Sequence, residues 1–296
     1  MSPNLHTIAG VEAAKATTTN ADASTDGFRD YEKLDEDHTV RKFYRENHKM
    51  QTLDHVLDSK QKYYNFNHKK CDIMELFIIS DQIIDESDPD IHLSQLHHAI
   101  QTAERARSKY PSPDMEWFWF TAFIHDLGKI LAHFGEPQWN VVGDTFPVGC
   151  EFCLNTNTFS EYFEANPDNQ KYDRLGIYKE NCGFDNVHFS FGHDDYLSKV
   201  LEYNGHSLPY EALYCIRYHS FYPWHKYSGY SYLANDNDLS LKKLLQDFQS
   251  CDLYSKDDDA DIDSIATTTG LNYEELKEFY KQLADKFLGK DKILHL

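Results

Sequence analysis

The chain has 296 residues, and its 29 Lys+Arg against 49 Asp+Glu leave a formal net charge of −20 with histidine neutral. That field repels polyanions, so neither a nucleic acid nor an anionic membrane surface is an expected partner; both would need a clustered basic face. No apolar run reaches the roughly 18 residues of a membrane span, and the amino terminus lacks the basic-then-hydrophobic pattern of an export signal, so a soluble cytoplasmic protein is expected.

Residues 1–27 are rich in Ala, Thr, Ser, Asn and Asp without apolar periodicity, which predicts a flexible tail ahead of one domain over 28–296. Residues 37–64 contain neither Gly nor Pro, and Val40, Phe43, Met50, Leu53 and Val56 recur at spacings near three and four, predicting one long helix. Further helices are predicted over 71–85, 93–110, 115–134, 194–204, 210–223, 239–255 and 273–288. Period-two alternation is scarce, with 141–150 (VVGDTFPVGC) the best candidate for a short strand or extended loop, and 143–178 reads as an ordered loop over a helical body. An all-α fold follows.

Two smaller features have plain readings. The six cysteines are dispersed, and the pair Cys150 and Cys153 has no second pair to complete a four-thiolate site, so free structural thiols in a reducing compartment are expected. The acidic run at 257–263 lacks the glycine and terminal glutamate of a calcium loop and reads as a solvated loop.

The sharpest chemical signal is His125-Asp126-Leu127-Gly128-Lys129, which closes the apolar stretch WFWFTAFI. An imidazole and a carboxylate at the edge of a core each need a partner; an isolated pair of this kind is most simply a buried His–Asp hydrogen bond. Four further residues change that balance. His98, His193, His219 and Asp252 also occupy apolar surroundings on separate predicted helices. The order H…HD…H…H…D is what a two-metal site between facing helices would look like, with Asp126 able to lend one oxygen to each cation. Nitrogen-rich ligation favours iron, zinc or manganese over magnesium or calcium.

The chain also carries DESDPD from Asp85, HAIQTAE from His98, HDLGK from His125, GEPQWNVVGDTFPVGC from Gly135, GHDDYL from Gly192, RYHSFYPWH from Arg217 and DLYSK from Asp252. On these motifs it resembles the myo-inositol oxygenase family of the HD-domain superfamily. The resemblance implies an all-α, single-domain HD-type helical bundle with a di-metal site between helices. It implies one iron on His98, His125, Asp126 and Asp252, and a second on Asp126, His193 and His219, as a mixed-valent Fe(II)/Fe(III) pair with O2 as co-substrate. It also implies cleavage of the C1–C6 bond of myo-inositol to D-glucuronate by a monomer. Substrate contacts implied in the same way are Arg29, Asp85, Glu86, Ser87, Lys129, Gly143, Asp144, His219, Ser220 and Lys256, with Asp126 and Lys129 as the catalytic residues.

Lys129 lies three residues after Asp126, so both side chains can share a face, and burial beside two cations would favour a neutral amine able to accept a substrate proton. The sequence departs from the family pattern at Phe191, where tryptophan is expected, and at Asp195, where glutamate is usual. His92, His133, His188, His206 and His225 are expected on the polar surface or behind ligands. The competing chemistry is that of an HD-type metal-dependent phosphohydrolase, in which metals activate water against a phosphate ester. A catalytically silent, metal-stabilised binding protein is the non-enzymatic alternative.

Overall fold

A computed structural model describes residues 34–83, 85–87, 94–254 and 270–296. The tail predicted over 1–27, its boundary at 28, and the acidic run at 257–263 lie outside the described residues.

The long helix predicted over 37–64 is two helices, α1 (Thr39–Met50) and α2 (Leu53–Tyr63). Nothing local forces the break. The Gln51 side chain is buried, donating to the Phe191 carbonyl and accepting from the Phe191 N–H, each at 2.9 Å. Asn166 donates to the His48 and Gln51 carbonyls at the end of α1, while Asp168 accepts the Leu53 N–H at 2.8 Å and Thr52 Oγ1 accepts from His55 at 3.1 Å. Helix ends leave backbone groups without partners. Here Thr52 caps α2 locally and Asn166 and Asp168, from a loop more than a hundred residues away, supply the other partners, so the chain turns where tertiary partners wait.

His48, in the last turn of α1, shows the same loop at work. Its Nε2 donates to the Thr158 carbonyl at 2.7 Å and its ring stacks on Phe163 with centroids 4.0 Å apart. Burial pushes its pKa down from 6.5 to about 4, against smaller opposing effects of Thr158 and Asp144. The unfolded chain therefore binds this proton near pH 6.5 and the folded chain only near 4, so stability falls as pH drops across that window. The full loss is about 3 kcal/mol. Urea unfolding from pH 7 to pH 4 is expected to show it, with His48→Gln flattening the slope. His98, His188 and His206, also pushed down chiefly by burial, contribute with the same sign, whereas His219, held well above 6.5, contributes with the opposite sign at the pH 7 end. Carboxylates held below their ordinary values, such as Asp126, Asp194, Asp195 and Glu136, add a loss of the same sign toward pH 4, so the difference between wild type and H48Q isolates His48.

After a two-residue strand β1 (Lys70–Cys71) come α3 (Ile73–Ser80), α4 (Gln95–Lys109) and α5 (Glu116–Ile124). The stretch predicted as one helix over 115–134 divides after α5, continuing as a 3-10 turn over Leu127–Ala132 with His125 and Asp126 at the joint. The chain between 141 and 150 is extended loop with one isolated bridge, Pro147 to Phe189, and the following excursion carries a 3-10 turn at Ser160–Ala165. Then follow α6 (His193–Asn204), α7 (Tyr210–Tyr218), α8 (Tyr222–His225), α9 (Asp236–Tyr254) and α10 (Tyr273–Leu288). Strand β2 (Leu294–His295) pairs antiparallel with β1. The fold is all-α apart from that pair.

Helix α5 is apolar on every side, the pattern of a helix buried all round. Helices α4, α7, α9 and α10 pack against it, and α6 packs against both α7 and the 3-10 turn. Phe118, Phe120 and Phe123 are fully buried, and Phe123 stacks on Tyr280 at 4.6 Å. The central helix thus delivers its carboxyl end, His125-Asp126, into the middle of the bundle. All six cysteines are free thiols, as expected. No helix among the described residues is long and apolar enough to cross a membrane.

Candidate metal centre

Five elements send polar side chains to one point. His98 comes from α4, His125 and Asp126 from the end of α5, His193 from the first position of α6, His219 from just past α7, and Asp252 from the last turn of α9. All four imidazoles and Asp252 are buried.

Asp126 faces two ways. Its Oδ2 lies 3.4 Å from His125 Nε2 and 3.6 Å from His98 Nε2, while its Oδ1 lies 3.2 Å from His193 Nε2 and 3.6 Å from His219 Nε2. Asp252 Oδ1 joins the first group at 3.0 Å from His98 and 3.4 Å from His125. Two sets of donors therefore meet on opposite oxygens of one carboxylate.

The imidazoles are oriented from behind. Nδ1 of His125, His193 and His219 each lies 2.8 Å from a backbone carbonyl, those of Ala122, Val141 and Ile216. Donation through Nδ1 fixes the tautomer that leaves an Nε2 lone pair facing the cluster, the arrangement found behind metal-bound histidines. His125 Nε2 is buried and makes no hydrogen bond. Such an orphan is costly unless a cation fills the space it faces. The donor set suits a first-row transition metal, because imidazole and carboxylate are its ordinary ligands.

Electrostatics point the same way. Burial penalises the Asp126 carboxylate, but His125, Lys129, His193 and His219 outweigh it and hold the group well below the usual carboxylate range. Burial likewise opposes a charged His219, yet Asp194 and Asp126 raise its affinity for a proton well above the ordinary value. His98 is shifted down, burial there outweighing Asp252 and Asp126. A metal ion held there would compete with a proton for His219.

The residues expected around the substrate divide. Lys129 is nearly buried, with Nζ 2.9 Å from both Asp126 Oδ2 and Asp85 Oδ2, so it shares a face with Asp126 as expected. It makes an ion pair with the two carboxylates. Asp85 Oδ1 accepts from the Ser87 backbone and hydroxyl at 2.9 and 2.5 Å, while Glu86 is exposed. Ser220 Oγ donates to Asp194 at 3.0 Å. Asp144 accepts from Tyr44 at 2.9 Å and Thr158 at 3.3 Å. Gly143 has a φ of +93°, and a Cβ there would come within 2.6 Å of the Phe43 ring, so only glycine fits. Arg29, Lys256 and His92 lie outside the described residues.

Three supporting residues escape sequence reasoning. Asp194 sits behind His219; Gln249 donates to Asp252 Oδ2 at 3.2 Å; Gly128 touches the His193 backbone. His225, set aside as surface or supporting, is buried and donates to the His219 carbonyl at 3.0 Å. Asp195, the departure from the family pattern, is buried with Lys60 Nζ at 2.7 Å, Tyr64 Oη at 2.7 Å and Arg217 Nε at 2.8 Å. Asp195→Ala would leave the largely buried Lys60 without its carboxylate and Arg217 with Asp185 alone, at 3.0 Å. The expected destabilisation is about 3–5 kcal/mol, read by urea unfolding.

Fold and cluster together define an all-helical metal-binding protein with its centre between helices. The chain belongs to the myo-inositol oxygenase family, whose model matches residues 37–295. It is 42% identical over 271 residues to an inositol oxygenase of Dictyostelium discoideum, covering 89% of this chain and 88% of that protein. It is 42% identical over 270 residues to an inositol oxygenase of Mus musculus, covering 89% and 90%. With inositol oxygenase 1 of Arabidopsis thaliana the identity is 44% over 267 residues, covering 88% and 82%.

Proposed function

We propose that this chain is an inositol oxygenase that uses O2 to open myo-inositol between C1 and C6, yielding D-glucuronate, on two irons held as a mixed-valent Fe(II)/Fe(III) pair. The observation that carries the two-metal reading is Asp126, whose oxygens serve separate imidazole sets. Family membership supports the substrate and the reaction. His98, His125, Asp252 and one oxygen of Asp126 would hold one iron; the other oxygen, His193 and His219 would hold the second. The irons supply the four-electron redox chemistry, in which one oxygen atom of O2 enters the new carboxylate and the other leaves as water.

The chain's own residues bind and orient the polyol. A cyclic hexol presents hydroxyls alone, so its pocket needs donors and acceptors in mixture. Asp85, Ser87, Lys129 and Ser220 supply both kinds near the cluster; Arg29, Glu86, Gly143, Asp144, His219 and Lys256 complete the set by family likeness. Lys129 Nζ lies between Asp85 and Asp126; its ammonium hands one proton to the Asp85 carboxylate, and the neutral amine so formed takes the proton of a substrate hydroxyl. A cytoplasmic monomer belongs to the same reading.

The test is aerobic turnover of myo-inositol by anaerobically iron-loaded protein, with glucuronate, oxygen uptake and metal content measured on one sample. One glucuronate per O2 consumed is expected. Two bound irons with no oxygen uptake overturn the reading. Phosphate-ester hydrolysis, the other chemistry of an HD pair, would release phosphate without oxygen and gains no support from the family match.

A further inference from the structure

The two sides of the cluster are backed differently. His125 Nδ1 meets the neutral Ala122 carbonyl at 2.8 Å. His219 Nδ1, besides its carbonyl, lies 2.9 Å from Asp194 Oδ1, and Asp194 Oδ2 lies 3.6 Å from His193 Nδ1. Asp194 is 1% exposed and stands in the first turn of α6, where the helix dipole favours a negative charge. Its Oδ1 also accepts the Ser220 hydroxyl at 3.0 Å, and its Oδ2 is buried without a hydrogen bond. A carboxylate so enclosed has two imidazoles and one hydroxyl to act on.

We infer that Asp194 is a positioning residue that fixes the tautomer, orientation and donor strength of His219 and ties the Ser220 hydroxyl to the same carboxylate. The inference rests on the two-metal reading. A carboxylate behind an imidazole raises its basicity, so the His193/His219 half carries a stronger donor set than neutral carbonyls alone would give. Ser220, an expected substrate contact, then shares its anchor with a metal ligand, so a shift of that hydroxyl is felt at His219. A purely structural Asp194 would stabilise α6 without altering the metal.

The test compares wild type with Asp194→Asn, which keeps the shape and removes the charge. Anaerobic cobalt(II) titration is expected to show two ions in wild type, and in D194N one ion bound as before and the other weakened about 10–100-fold. In the iron-loaded protein, loss of the charge is expected to shift the pair about tenfold toward its reduced form, a rise of about 59 mV for a one-electron couple. A third readout needs no variant. In zinc-loaded wild type the Nδ1 proton of His219 is expected further downfield by NMR than that of His125. Unchanged affinities and potential in D194N, or equal proton shifts for the two histidines, overturn the inference. A wild-type chain that binds fewer than two ions overturns the two-metal reading, and the inference with it.

Discussion

Asp126→Asn is expected to abolish binding of at least one metal and to lower inositol turnover by roughly a thousandfold or more, since even partners outside the ligand set are worth 10–100-fold. The substitution preserves volume and one carbonyl oxygen. It cannot preserve both faces. An amide nitrogen has no lone pair to offer, so whichever way the side chain turns, either the His98/His125 side or the His193/His219 side loses its oxygen. The negative charge that these histidines and Lys129 surround is lost as well. Metal content per chain is the direct measurement. Thermal unfolding is the second: excess metal is expected to raise the midpoint of wild type, because a ligand that binds only the folded state stabilises it by mass action, and to do so much less in D126N. Two tightly bound metals with turnover within tenfold of wild type would show that Asp126 is not shared.

The residues of this cluster were legible because their chemistry is written in single residues. An acid and an imidazole closing the run WFWFTAFI are conspicuous, and α5 places them where that apolar pattern implies. The predicted helix over 273–288 coincides with α10, whose Asn272 and Glu275 form a capping box that marks its start. The break between α1 and α2 was not legible. Its causes, Asn166, Asp168 and the Phe191 backbone, are remote in sequence, and Gln51 looks like any helical glutamine until it is buried among them. The supports of the centre were hidden for a related reason. Asp194 and Asp195 are adjacent acids in one helical turn, yet one turns to His219 and the other to Lys60 and Arg217. Local pattern gives both the same meaning; only packing separates them.

Gly128 is the position where packing and chemistry meet most closely, and Gly128→Ala is expected to damage the centre without touching a ligand. A Cβ at 128 would overlap the His193 carbonyl oxygen and come within 2.8 and 2.9 Å of the His193 carbonyl carbon and Cα. All three are backbone atoms, so no rotamer change relieves the clash; the 3-10 turn and the start of α6 must separate. That movement carries His193 away from Asp126 Oδ1, now 3.2 Å from its Nε2. Overpacking a tight contact costs about 1–3 kcal/mol, and a displacement of about 1 Å at a reacting centre costs on the order of a hundredfold in rate. G128A is therefore expected to unfold at lower urea, to lose the metal of the His193/His219 half first, and to turn over inositol about a hundredfold more slowly. Gly205, at the far end of α6, separates this from a general weakening of the helix. Its φ is +77° and a Cβ there meets nothing within 4 Å, so G205A carries backbone strain alone, about 1–3 kcal/mol. It is expected to lower stability while leaving metal content and turnover per folded chain unchanged. Equal metal loss in the two variants would mean that the centre fails with the helix as a whole, not through the contact between Gly128 and His193.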